Sequence, residues 1–160
     1  MADGDRYALV VSSSRYSDPS LRPLTAPSED ADALEQLLRA PDVGGFRVRH
    51  VVDQPSWEIE KEVERFFKER SLGDVTLFYY SGHGLKDDDG ALYFAAMNTD
   101  PTLLRSTAVS SEHMLAAMRA CRSRQQVLLL DCCYAGAFSK TMLAKGGRAG
   151  MQERFKSEGA

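Results

Sequence analysis

Three short, uninterrupted runs of apolar residues constrain the fold of this chain more than any other feature of its sequence. They lie within residues 6–14, 74–81 and 126–131, and each is bounded by polar residues. A run of this kind is typical of a strand that is buried on both faces. Such strands occur in parallel sheets that helices cover on each side, so the runs predict an α/β fold.

Segments with helical periodicity alternate with these strands. The first is predicted to begin with Ser28 as its N-cap and to end before Pro41. The second begins with Ser56 as its N-cap, and the third begins at Ser110 or Ser111. Alternation of strands and helices predicts a mostly parallel sheet with helices on both faces and right-handed crossovers.

The second predicted helix separates its apolar residues from its charged ones. The apolar stripe consists of Ile59, Val63, Phe66 and Phe67. The charged residues, interpreted as a solvated face, are Glu58, Glu60, Lys61, Glu62, Glu64 and Lys68. This division is typical of an amphipathic helix with one buried side.

Further segments complete the predicted architecture. Residues 46–52 alternate apolar and basic side chains, which predicts a strand with one exposed face at the sheet edge. Residues 91–96 predict a small hairpin beside the main sheet. Residues 1–145 are therefore predicted to form one three-layer, flavodoxin-like domain that ends in a short helix at 137–145. Residues 146–160 are predicted to be a flexible tail or a processing linker.

The composition favours neither a nucleic-acid partner nor a membrane partner. The net charge of -3 gives no basic field to attract nucleic acid, and no apolar run approaches the roughly 18 residues of a membrane span. The cysteines Cys121, Cys132 and Cys133 have the spacing of neither a disulfide framework nor a zinc site, so no metal ligands are predicted. Reduced thiols predict a cytoplasmic location.

The ends of two predicted strands carry a nucleophile and a base. His83 follows the strand at 74–81, and Cys133 follows the strand at 126–131. If these strands are neighbours, they lie about 5 Å apart, and the imidazole can promote loss of the thiol proton. The resulting thiolate is the form that attacks a carbonyl carbon. The N–H groups of Gly84 and Cys133 are the predicted oxyanion donors.

The same residues also have simpler explanations. A cysteine at the end of a strand is usually inert core, and alternation along the strand assigns this packing role to Cys132. A lone histidine after a strand is usually a turn residue. A flavodoxin-like binding module with incidental cysteines therefore stays open. The two glycines around His83 and the Asp two residues before Cys133 favour the catalytic interpretation.

The motifs at the two strand ends resemble those of the caspase-like cysteine peptidases, and most closely those of metacaspases and paracaspases. They are Tyr-Tyr-Ser-Gly-His-Gly at residues 79–84 and Leu-Leu-Leu-Asp-Cys-Cys-Tyr-Ala-Gly at residues 128–136. The resemblance extends to residues 7–14 and 24–38. It implies a caspase-like fold in which residues 1–145 are the large-subunit-like part of a catalytic domain that is incomplete at its C-terminal side, with Cys133 as the nucleophile and His83 as its partner. Metacaspases usually carry His-Ser-Gly after the cysteine, where this chain has Tyr-Ala-Gly, so the subfamily is less firmly assigned than the dyad.

The resemblance also implies a substrate class. In metacaspases and paracaspases, acids at the positions of Asp30 and Asp131 line the primary specificity pocket, which implies cleavage after Arg or Lys. By itself, Asp30 is better explained as a first-turn helix acid, whereas Asp131 requires a partner or a cationic ligand. The implied partners are a protein or peptide substrate and a complementary, small-subunit-like segment of the same protein. A catalytically silent caspase-like scaffold is the alternative function.

No cofactor is predicted, with calcium as the single alternative. Asp87, Asp88 and Asp89 form a carboxylate-rich loop, and many metacaspases need calcium. The spacing of these residues matches no defined calcium loop, and an acidic turn is usually solvated.

Overall fold

The computed structural model describes residues 4–132 of the chain. Its elements are β1 (Arg6–Ser12), α1 (Ala26–Arg39), β2 (Arg47–Val52), α2 (Ser56–Lys68), β3 (Val75–Ser81), β4 (Gly84–Lys86), β5 (Leu92–Phe94), α3 (Leu104–Thr107), β6 (Val109–Ser110), α4 (Ser111–Ala120) and β7 (Gln125–Asp131). Cys133, the predicted helix at 137–145 and the predicted tail at 146–160 lie outside the described residues.

The main sheet places the ends of its strands side by side. Its described strands follow the order β2-β1-β3-β7, and every neighbouring pair is parallel. The register aligns Ser12 of β1 with Ser81 of β3, and Ser81 with Asp131 of β7. The predicted parallel sheet is confirmed, and β2 lies at the edge of the described sheet as predicted. The segments that follow β1, β3 and β7 therefore start side by side at the carboxyl ends of the strands.

Helices cover both faces of this sheet. Successive residues of a strand point to opposite faces, so a continuous apolar run gives both faces apolar side chains that helices can cover. Leu9 and Val11 of β1 join a core cluster with the apolar residues of α2 and α4. Ala8 and Val10 of the same strand join a second cluster with residues of α1. The predicted three-layer arrangement is thus confirmed, with α1 on one face and α2 with α4 on the other.

A small antiparallel sheet stands beside the end of β3. It has the order β4-β5-β6, and β4 and β5 form a hairpin of which only the second strand lies within the predicted range 91–96. The fully buried Tyr80 of β3 donates its hydroxyl to the carbonyl of Ala95, at 2.7 Å, and the Ala95 N–H donates to the His83 carbonyl, at 2.9 Å. These bonds attach the residues after β3 to the small sheet.

Two predicted helix starts are wrong, for different reasons. Helix α1 begins at Ala26 with Thr25 as its N-cap, and Ser28 lies within the first turn. Pro27 accounts for this start, because its fixed φ and missing N–H suit the first helical positions. Ser56 is the first residue of α2 and not its cap; its N–H donates to the Asn98 side chain at 2.7 Å. The third predicted helix, α4, begins at Ser111, one of its two predicted starting residues, and its N-cap is Ser110, whose hydroxyl accepts the His113 N–H.

The predicted solvated face of α2 is also wrong at one position. Glu62 is buried, and both of its carboxylate oxygens accept hydrogen bonds from the guanidinium of Arg49 on β2. Arg49 holds the pKa of Glu62 below its ordinary value, chiefly through hydrogen bonding. This bidentate pair joins α2 to the sheet edge. Within residues 4–132, no helix has the length and apolar character needed to cross a membrane.

Candidate active site

The turn that follows β3 is fixed by close backbone approaches. A Cβ atom at Gly82 would lie 2.5 Å from the Tyr80 hydroxyl oxygen, so only glycine fits there. The Gly82 N–H donates to the carbonyl of Asp131 on β7, at 3.3 Å. The histidine turn is therefore joined directly to the strand that leads into the cysteine segment.

The hydrogen bond of the His83 ring indicates which nitrogen carries the proton. Its Nε2 atom lies 2.8 Å from the carbonyl oxygen of Arg22, in the loop after β1. A carbonyl oxygen only accepts hydrogen bonds, so Nε2 is the protonated nitrogen. In the neutral ring, Nδ1 then keeps the lone pair that accepts a proton. Arg22 thus sets the tautomer that a general base needs.

Tyr16, which the sequence analysis did not identify, positions His83 from the loop after β1. Its ring centroid lies 5.0 Å from that of His83. Its hydroxyl accepts the His83 N–H, at 3.1 Å, and donates to the Ser13 carbonyl, at 2.6 Å. Burial raises the pKa of Tyr16 from 10.0 to about 12. The hydroxyl therefore stays protonated at neutral pH, where it can keep both bonds.

We expect Tyr16→Phe to lower the free energy of unfolding by about 1–3 kcal/mol, because the His83 N–H loses its acceptor and the Ser13 carbonyl loses its donor. The variant also removes a group with a raised pKa. That group's contribution to stability is complete below pH 10 and is lost as the pH rises to about 12. Urea denaturation between about pH 9 and pH 11 should therefore show a shallower loss of stability in the variant. Equal slopes would contradict this assignment.

The two predicted specificity acids both influence one tyrosine, Tyr79. Asp131 ends β7, Asp30 lies on α1, and both are exposed. Burial is the main cause that raises the pKa of Tyr79; Ser81 opposes it, and the charges of Asp131 and Asp30 add to it. A hydrogen-bonding contribution from Asp131 is the smallest of the causes that raise the pKa of Tyr79. Because Asp131 is exposed, water can solvate its carboxylate, and the structure does not require the partner that the sequence predicted for it.

Gly84 brings the small sheet against the end of β7. A Cβ atom at Gly84 would lie 3.1 Å from Cys132 Sγ. The Ala95 N–H donates to the His83 carbonyl, so these two residues form a hydrogen-bonded pair of the antiparallel ladder. Hydrogen-bonded and non-hydrogen-bonded pairs alternate, so the next pair, Gly84 with Phe94, is of the second kind. The Gly84 N–H therefore points away from β5. Cys132 packs against the core cluster of α2 and α4, as predicted. The described residues thus bring His83, Gly84 and Asp131 together.

The acidic loop forms the turn between β4 and β5, and calcium binding by it stays a prediction. One oxygen of Asp87 accepts the N–H groups of Asp89 and Ala91, at 3.0 and 2.9 Å, and closes the turn between β4 and β5. Within residues 4–132, the acids of this loop are not among the groups of three side chains whose oxygens or nitrogens converge. The loop is therefore explained as a hairpin turn.

Comparison with known proteins identifies the same architecture. Residues 5–158 match the family model described as "Caspase domain". The fold is similar to caspase-1 from Spodoptera frugiperda, with a TM-score of 0.65 and 16% identity over 82% of this chain. It is also similar to a protein from Geobacter sulfurreducens, with a TM-score of 0.65 and 15% identity over 90% of this chain.

The matched regions cover different shares of the two structures. This chain spans 48% of the Spodoptera caspase-1 chain and 67% of the Geobacter chain. At these sequence identities, the two similarities establish a common fold. The comparison with curated protein sequences gave no match.

Proposed function

This chain belongs to the caspase domain family, and we propose that it is a cysteine endopeptidase that cleaves protein or peptide substrates after Arg or Lys. The observation that carries the proposal is the hydrogen bond between the Gly82 N–H and the Asp131 carbonyl. It holds the residue before His83 against the residue two positions before Cys133. A histidine and a cysteine at adjoining ends of parallel strands are the arrangement that nucleophilic catalysis needs.

The proposed reaction uses His83 first as a base and then as an acid. Its Nδ1 accepts the proton of the Cys133 thiol, and the thiolate sulfur bonds to the carbonyl carbon of the scissile peptide. The carbonyl electron pair moves to oxygen, where the N–H groups of Gly84 and Cys133 stabilise it. His83 then protonates the leaving amine as the C–N bond breaks. Water, deprotonated by His83, finally hydrolyses the thioester and releases the second product.

Support for Gly84 as an oxyanion donor comes from its position in β4. Its N–H is directed away from β5, so the ladder of the small sheet does not use it. Gly84 also lies against Cys132, the neighbour of the proposed nucleophile. Donors held by rigid backbone need no reorganisation as negative charge develops.

The proposed preference for Arg or Lys rests on the two exposed carboxylates around Tyr79. The charges of Asp30 and Asp131 both raise the pKa of Tyr79, and in the proposal these two carboxylates share one cation. A guanidinium offers several donors in a planar fork, and an ammonium offers three, so either can bind both acids. An acidic substrate side chain would be repelled at the same place.

Partners and location form the rest of the proposal. A small-subunit-like segment of the same protein is included, because this chain spans 48% of the Spodoptera caspase-1 chain. The cytoplasm is the proposed location, since its reducing conditions keep free thiols reduced. The proposed reaction uses no cofactor.

A panel of fluorogenic peptides that end in Arg, Lys or Asp tests the proposed function. We expect the wild-type protein to release the fluorophore from the Arg and Lys peptides and not from the Asp peptide. Addition of calcium or a chelator should leave the rates unchanged. Preferred cleavage after Asp would refute the specificity. Absence of cleavage, together with no alkylation by an inhibitor that carries Arg at its reactive end, would favour the scaffold.

A further inference from the structure

A second group of converging side chains lies between α1 and the edge strand β2. Asp32 and Glu35 are one helical turn apart on α1, and His50 projects toward them from β2. The His50 Nδ1 atom is 3.0 Å from a Glu35 oxygen and 3.6 Å from an Asp32 oxygen. The ligand atoms of all three residues lie within 4.8 Å of one another. This group takes no part in the proposed peptidase reaction.

The surroundings leave one atom of each side chain available to a common ligand. His50 Nε2 bonds to the Ser12 hydroxyl at 3.1 Å, which orients the ring. The other oxygen of Glu35 accepts a bond from Arg39 at 3.0 Å. His50 Nδ1 therefore faces two carboxylate oxygens. Because all three atoms can be acceptors, either a proton or a cation must lie between them.

We propose that Asp32, Glu35 and His50 form a binding site for a divalent transition metal of the zinc class. Zinc takes imidazole nitrogen and carboxylate oxygen at about 2.0–2.2 Å, so tetrahedral ligand atoms are roughly 3.3 Å apart. The distances of 3.0 and 3.6 Å bracket that value. Calcium fits poorly, because it takes six to eight oxygen ligands.

The metal would hold α1 against β2 and leave a fourth position for water. Ser12 corresponds to the outer hydrogen-bond partner that fixes a metal-ligating histidine. The site stands on the positions of these side chains and does not depend on the proposed peptidase activity.

Titration with Co²⁺, a spectroscopic substitute for zinc, tests this site in the full chain. Every protein in the experiment carries Cys133→Ala, which removes the proposed nucleophilic thiol. The starting protein should bind one Co²⁺ with visible d–d bands and without sulfur charge-transfer bands. Asp32→Asn and His50→Gln should each weaken binding by at least about tenfold, since even outer-shell changes cost 10- to 100-fold.

The control variant is Glu29→Gln, another exposed acid on α1 that is not in the cluster. It should bind Co²⁺ like the starting protein. Asp32 is 68% exposed, so Asp32→Asn keeps the fold and the result does not depend on the behaviour of His50→Gln. Zinc should also raise the melting temperature of the starting protein and not that of Asp32→Asn. Absence of Co²⁺ binding, or equal binding by Asp32→Asn and Glu29→Gln, would overturn the proposal.

Discussion

Replacement of Cys133 by Ala is expected to lower kcat/KM for an Arg peptide by at least about a thousandfold, because no other group in the proposed site can form the acyl-enzyme. Cys132→Ala is the matched control, since it removes a thiol from the adjacent position. Cys132 packs against the core cluster of α2 and α4. Its replacement should leave most of the activity and cost some stability.

The same experiment includes His83. Replacement of His83 by Ala should lower kcat/KM by about 10²–10⁴-fold through loss of proton transfer. The double variant Cys133→Ala/His83→Ala should be no slower than Cys133→Ala, because residues that act as one unit have non-additive effects. Alkylation by an Arg-bearing inhibitor, followed by mass spectrometry, gives a second measurement. Labelling that persists in Cys133→Ala and disappears in Cys132→Ala would transfer the nucleophile to Cys132.

The main sheet was predictable because its signal is local. β1 and β3 are continuous apolar runs buried on both faces, which leaves little choice besides a parallel sheet. The prediction of burial on both faces was wrong for β7, where Val127 and Leu129 are each 38% exposed. The contacts that were missed join residues far apart in sequence. Asn98 caps α2 across 42 positions, and Arg49 reaches Glu62 only because β2 lies beside α2. Periodicity reports which side of a helix is apolar; it does not report which charge a neighbouring strand supplies.

In the candidate site too, some features could be predicted from the sequence and the long-range contacts could not. The proximity of His83 and Asp131 could be predicted from the sequence, because neighbouring parallel strands end on the same side of a sheet. The groups that position them carry no sequence signal. The acceptor for His83 Nε2 is the backbone carbonyl of Arg22, which any residue type could offer. Tyr16 lies in a loop rich in Ser, Pro and Asp, whose composition does not show that this partly buried ring contacts His83.

Neutralising the two acids around Tyr79 should reduce cleavage after Arg more than any other change outside the dyad. Asp131→Asn is expected to lower kcat/KM for the Arg peptide by at least about 2 kcal/mol, or roughly thirtyfold, because one partner of a charge pair with the substrate is lost. Asp30→Asn should have the same direction of effect. Both acids are exposed, so the wild-type preference should also weaken at high ionic strength.

A double-mutant cycle decides whether the two carboxylates bind one cation together. If both contact the same guanidinium, the losses in Asp30→Asn/Asp131→Asn will differ from the sum of the single losses. Asp42→Asn is the matched control, because Asp42 is an exposed acid in the loop before β2, at the opposite end of the sheet. It should leave the Arg preference unchanged. If all three single variants showed the same small loss, the preference would come from the overall charge, and the pocket formed by Asp30 and Asp131 would be refuted.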